Sequence, residues 1–157
     1  MMKYFLLTIF LFCHWPSFGQ DSLLRKQIDE LVLSIDKADG KTSTFKISST
    51  YYQYKIINGK LSKIESRLKK GSIKTIRIFY IKNSSLILST EKEITYFGND
   101  SITWGGGFYF KNGKLIDYET LGHGKSEDEN WKPEIEVIAN YNKAKKVVSV
   151  YIRSKKP

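Results

Sequence analysis

Thiol and imidazole groups are nearly absent from this 157-residue chain, which has one cysteine, Cys13, and two histidines, His14 and His123. A lone thiol closes no intramolecular disulfide, so the fold must be held by burial. So few histidines and no second cysteine leave none of the spaced ligand sets that zinc takes. No Gly-x-Ser-x-Gly elbow marks a serine nucleophile. Long apolar runs are missing too. The longest, Tyr4 to Cys13 with Thr8 inside it, is about half of the roughly 20 residues a membrane-spanning helix needs. No cofactor or metal is implied, and no transmembrane span is expected.

What is present begins with a leader. Lys3 precedes the apolar run, and His14, Trp15 and Pro16 end it. Ser17-Phe18-Gly19 then puts small residues where a signal peptidase reads. Residues 1–19 therefore read as a secretory signal cut before Gln20, with an exported product, periplasmic or secreted. Lipid anchoring through Cys13 is disfavoured, because Phe12 is bulky where such sites take a small residue. Cleavage removes Cys13, His14 and Lys3, so the 26 basic side chains become 25 against 16 acidic, a formal balance of +9. Residues 20–157 are long enough for one ordinary core, and their many aromatics argue against disorder.

Leu24, Ile28, Leu31 and Ile35 recur at steps of four, three and four, with Val32 beside them, and predict a helix over about 21–38. Asp21 or Ser22 can cap it and Gly40 can end it. From about 43 to 121 the period drops to two. Asn58-Gly59 and Asn112-Gly113 tolerate the positive φ of tight hairpins, and Gly71-Ser72, Asn83-Ser84 and Asn99-Asp100 are further breaks. About six strands result. Segment 61–69 sets Ile64 and Leu68 against Lys63, Glu65, Arg67 and Lys69, one dry side and one wet. Segment 73–82 is apolar on both sides and reads as central. Segment 86–97 places Leu86, Leu88, Ile94 and Tyr96 on one side. Short strands with short turns pair with their neighbours, giving an antiparallel meander.

Asn58-Gly59-Lys60-Leu61 returns 54 positions later as Asn112-Gly113-Lys114-Leu115, with a weaker copy, Ile81-Lys82-Asn83-Ser84-Ser85-Leu86, between them. Shared turn chemistry and true duplication explain this equally well. With Phe79-Tyr80-Ile81-Lys82-Asn83 and Phe108-Tyr109-Phe110-Lys111-Asn112-Gly113-Lys114-Leu115, the chain resembles small, uncharacterised secreted β-meander proteins of Bacteroidota-type bacteria. The resemblance covers roughly 45–121. It implies an exported meander with helices at its ends and carries no catalytic residue.

After a loop at 122–132, Val137, Tyr141, Ala144, Val148 and Tyr151 recur at steps of four, three, four and three behind Pro133, which suits a first helical turn. Val148, Val150 and Ile152 also alternate, so a hairpin is the other option for 133–153. The helical stripe is the longer pattern. The expected fold is α+β: a six-strand antiparallel meander with an N-terminal and a C-terminal helix, the alternative being all-β with about eight strands.

Candidate sites are few. His123 beside Glu127, Asp128 and Glu129 reads as solvated loop, since a metal needs more ligands and second-shell support. Trp104-Gly105-Gly106-Gly107-Phe108 is no phosphate loop, because no helix follows the glycines. A bulge or close backbone approach is expected there. Lys60, Lys63, Arg67, Lys69, Lys70, Lys74 and Arg77 crowd two adjacent predicted strands, with Tyr52, Tyr54 and Trp104 as candidate aromatic contacts. Basic-plus-aromatic surface suits a polyanion, although no nucleic-acid motif is present. The expected function is an exported non-enzymatic binding or structural module for a polyanion or envelope protein. The alternatives are a small-ligand carrier in a curved sheet and a carboxylate hydrolase built on Glu119 and Glu127–Glu129.

Overall fold

The structure is a computed structural model that describes residues 18–155, with side chains from Ser22 onward. Most of the leader, including Cys13 and His14, lies outside the described residues. Helix α1 (Phe18–Lys37) is followed by seven strands: β1 (Lys41–Ile47), β2 (Thr50–Ile57), β3 (Lys60–Lys70), β4 (Ile73–Lys82), β5 (Ser85–Phe97), β6 (Asp100–Lys111) and β7 (Lys114–Leu121). A short 3₁₀ turn at Lys125–Glu127 leads to helix α2 (Pro133–Ser154). Every strand pairs antiparallel with its chain neighbour, in the order β1 to β7. The α+β meander is thus as expected, and the all-β alternative is excluded because 133–154 is helical.

Seven strands stand where six were expected, because one turn was invisible. Ser48 takes a φ of +52° between β1 and β2 without glycine or asparagine to announce it. A second correction concerns α1, which is already helical at Phe18, the first described residue, so Asp21 and Ser22 lie inside it rather than capping it. A third concerns the turn before β6, which uses Gly98 and Asn99 rather than Asn99-Asp100.

The hairpin repeat has structural content. At Asn58-Gly59, Asn83-Ser84 and Asn112-Gly113 both residues have positive φ, between 50° and 79°. That is the mirror-image turn whose twist matches paired strands. In each case the register then skips one residue, four positions after the asparagine: Ser62, Ile87 and Ile116. Such a bulge reverses the alternation. Leu86 therefore enters one core with Ile81 and Phe110, while Ile87 and Leu88 enter the other with Tyr80 and Tyr109. The expectation that Leu86 and Leu88 share a side fails for this reason.

Two cores result, one on each face of the sheet. Against α1 lie Tyr80, Leu88 and Tyr109 around Ile28, with Leu24, Val32 and Ile35 at the margin. Against α2 lie Tyr54, Ile64, Phe79, Phe108 and Phe110 around Val137, Tyr141, Ala144 and Val148. Tyr151 extends the α2 stripe as far as β1, stacking on Phe45 at 3.9 Å. At the other end of α2, Trp131 packs edge-on against Phe108 and Tyr118. The helix thus crosses the sheet from β7 to β1. Its 22 residues span about 33 Å at 1.5 Å each, which matches seven strands at roughly 4.8 Å spacing.

The three glycines of β6 make no bulge, since register is continuous through them. Their close approach is real and local to Gly106, where a Cβ would stand 2.7 Å from the Phe108 ring and 3.3 Å from Trp104. The missing side chain is the space those rings occupy.

Candidate functional site

Helix α1 crosses the half of the sheet nearest the Asn turns, against Tyr80, Leu88 and Tyr109. The other half, which ends in the turns at Ser48-Ser49, Gly71-Ser72 and Gly98-Asn99, lies beyond it. Ile47, Tyr51, Ile73, Tyr96, Phe97 and Ile102 are exposed there. On the α1 side of this bare half one cross-strand row reads Lys46, Tyr51, Arg67, Ile76, Lys92. The next row outward holds Lys69, Lys74 and Ile94. Cations thus alternate with apolar side chains across five strands, those in one row about 10 Å apart at twice the strand spacing. Lys46 lies 4.9 Å over the Tyr51 ring and Lys69 5.9 Å from that of Tyr96.

This strip opens into a trough along β2. Two adjoining hollows of about 190 and 350 Å³ share Gln53 and Glu65. Thr42, Thr44 and Tyr51 line them from β1 and β2. Their two carboxylates are already engaged: Glu65 by Arg67, and Asp36 by Lys63 at 2.7 Å. Burial opposes the Lys63 charge, and the Asp36 carboxylate and Tyr80 hydroxyl overcome it, holding Lys63 above the usual lysine range. The polar side chains left over in the trough are hydroxyls and the Gln53 amide.

The sequence-predicted residues divide between places. Arg67, Lys69 and Lys74 form the strip, and Lys63 borders the trough. Lys60 stands at the opposite end of the sheet beside the Asn58-Gly59 turn. Lys70 and Arg77 alternate onto the α2 side, where Arg77 bonds Glu91 at 3.0 Å. Tyr52, Tyr54 and Trp104 are 7%, 6% and 3% exposed and belong to the α2-side core. Their rings are therefore unavailable to a ligand on the strip. Lys46 and Lys92 were missed. Each is two strands from Arg67 along one row, a relation that only register creates.

No family model, curated protein or solved structure matches this chain. The chemistry must be read from the residues alone. Among the described residues no three histidine, cysteine, aspartate or glutamate side chains gather as a metal set. No described helix is long and apolar enough to cross a membrane. His123 is exposed and meets Glu127 at 2.6 Å. Glu119 faces α1, bonded to Arg25 at 2.8 Å. The loop carrying Glu127 packs on the α2 side, where Ser126 accepts a bond from the Trp104 indole at 3.2 Å. The carboxylates proposed for hydrolysis thus lie on opposite faces of the sheet and share no cleft. The sheet is open, with β1 and β7 as its edges.

That loop is strapped down by ions. Lys125 reaches Glu91, at 2.8 Å, and Glu136, and Glu136 also accepts the Trp131 indole N–H at 2.8 Å. Burial pulls against both charges. The hydrogen bonds it donates to Glu136 and Glu91 nevertheless raise Lys125 above its ordinary range, and those Glu136 accepts from Lys125 and Trp131 hold Glu136 below the ordinary carboxylate range. Glu91 is 6% exposed and serves two cations at once.

Proposed function

We propose that this protein is an exported, non-enzymatic binding module that holds an acidic polysaccharide on the α1 side of its sheet, across the half that α1 leaves bare. The observation that carries the reading is the row Lys46–Tyr51–Arg67–Ile76–Lys92, backed by Lys69 and Lys74. Repeated cations meet repeated acid groups, and the tyrosine offers a face for a sugar ring. The threonines and Gln53 of the trough suit sugar hydroxyls, which a nucleic acid backbone does not present at that density. The open, shallow form of the trough fits an extended chain rather than an enclosed small molecule.

Retention of residues 20–157 on a sulfated or uronic polysaccharide column, followed against salt, tests the binding. Arg67→Gln, Lys74→Gln and Lys92→Gln together should elute at markedly lower salt. By analogy with nucleic acids, losing three contacts lowers the log–log salt slope by about 2–3. Lys60→Gln, Lys111→Gln and Lys114→Gln, at the helix-covered end, remove the same charge and should leave most of the retention. Equal losses from the two triple variants would reduce the strip to a matter of net charge. Stronger retention on single-stranded DNA than on the polysaccharide would redirect the reading to nucleic acid. Export is supported by the order of charge, apolar run and small residues in 1–19. N-terminal sequencing of the secreted product should begin at Gln20, and a product that still carries Met1 would defeat it.

A further inference from the structure

The end of the sheet away from the Asn turns is made of three hairpin tips, whose last pairs are Ile47↔Thr50, Lys70↔Ile73 and Phe97↔Asp100. Thr50 is level with Leu68, and Ile73 with Thr95, so each hairpin reaches two residues further than the one before it. The tips therefore stand on one straight slant, about 10 Å apart across the sheet, where a single flat surface can touch all three. Each last pair carries one large apolar side chain. Alternation puts Ile47, Ile73 and Phe97 together on the α2 face, 47%, 39% and 55% exposed, with Ile102 beside them at 50%. One pair further in, on the α1 face, stand Lys46, Lys69 and Lys74 with Tyr51 and Tyr96. We infer that this end docks on an anionic lipid bilayer, its apolar ridge entering the surface while the lysines meet the headgroups.

Three observations carry this. The first is the contrast with the opposite end of the same sheet. There the last pairs are Ile57↔Lys60, Lys82↔Ser85 and Lys111↔Lys114, and none of them exposes a large apolar side chain. Hairpin chemistry alone therefore does not call for the ridge. The second is charge. The last two pairs of the three tips hold Lys46, Lys69, Lys70 and Lys74 against one carboxylate, Asp100. Glu93 lies further in, opposite Trp104. The third is the mixture itself. Protein interfaces exclude lysine from their cores, and a two-fold pairing of this end with a second copy would set lysine against lysine. A bilayer accepts both kinds of side chain. Apolar groups enter it, lysine stems and tyrosine rings lie at headgroup depth, and anionic lipids add attraction. Some of the lysines are shared with the strip, but the ridge is on the opposite face and has no part in the polysaccharide reading.

The test is sedimentation of the protein from Gln20 onward with vesicles of mixed phosphatidylglycerol and phosphatidylcholine, and with vesicles of phosphatidylcholine alone. The protein should sediment with the mixed vesicles, less so as salt rises, and at least about tenfold more weakly with the neutral ones. Ile47→Ser, Ile73→Ser and Phe97→Ser together leave the charge unchanged and should weaken binding at least about tenfold. Leu33→Ser, Ile135→Ser and Val150→Ser remove side chains of similar exposure elsewhere and should have no effect. Lys70→Gln, which lies outside the strip, should weaken binding about fivefold. If the tip triple does not fold, Phe97→Trp replaces it: acyl-brominated lipid should quench its fluorescence more than that of the unsubstituted protein. Failure to sediment with either vesicle, or equal losses from the two apolar triples, would overturn the inference. So would a dimer that the tip triple abolishes in a protein that binds no vesicle, which would assign the ridge to a second copy. The tip triple should leave polysaccharide retention unchanged, so either reading can fail while the other stands.

Discussion

Phe79→Ala lowers the free energy of unfolding by about 3–5 kcal/mol in urea denaturation. Phe79 is 1% exposed, lies between Ile64 and Ser89 in the sheet, and stands 5.8 Å from the Tyr141 ring of α2. Truncation opens a void beneath the middle of that helix. The neighbours cannot fill it, because Ile64 and Val148 are themselves fully buried and the sheet holds their backbones. For a domain of ordinary stability, roughly 5–15 kcal/mol, this is a large share. Tyr96→Ala is the matched control. Its ring is 39% exposed at the bare end of the sheet, so its loss should cost no more than about 1 kcal/mol. Equal costs at the two positions would mean that α2 is not seated over Phe79.

Glu91→Ala should cost about 3 kcal/mol and free the loop that follows β7. Removing the carboxylate strands Arg77 and leaves Lys125 with Glu136 alone, and an uncompensated buried charge is the expensive outcome. The cost stays at the low end because Arg77 keeps 22% exposure and some hydration, and Lys125 keeps Glu136. Glu91→Leu with Arg77→Met should recover most of the loss, since Lys125 and Glu136 then keep each other and no charge is stranded. Near-UV circular dichroism reports the loop itself. Trp104 and Trp131 stand edge-to-face at 5.8 Å, and Ser126 and Glu136 tie their indoles down. A Glu91→Ala variant that is less stable yet keeps this signal would show that the loop is held by packing alone. Acid acts on the same strap through Glu136, whose folded pKa is depressed. Its contribution is complete above the unfolded value of 4.5 and is lost as pH falls through the lower folded one.

How legible the molecule was can be judged residue by residue. The 4-3-4-3 stripe in α2 proved decisive, because Val137, Tyr141, Ala144 and Val148 are the buried positions of that helix. The alternating strand pattern failed at Leu86 and Leu88, because the bulge at Ile87 flips the parity between them. The Ser48 turn went unseen because its positive φ is imposed by the strands on either side rather than by a permissive residue. The basic face was half legible. Lysines can be counted along a strand, but whether Lys70 and Lys69 share a surface depends on alternation, and whether Lys46 joins Arg67 depends on pairing.

Local chemistry alone determined the turns at Asn58-Gly59, Gly71-Ser72, Asn83-Ser84 and Asn112-Gly113 and which helix faces are oily. Those properties live within a few residues of one another. Only the tertiary structure decided that two helices cross opposite faces of one sheet and that α1 leaves one half of its face bare. It also decided which cations become neighbours across the strands. Such relations join residues distant in the chain through cross-strand register, and a single bulge is enough to exchange the faces on which they meet.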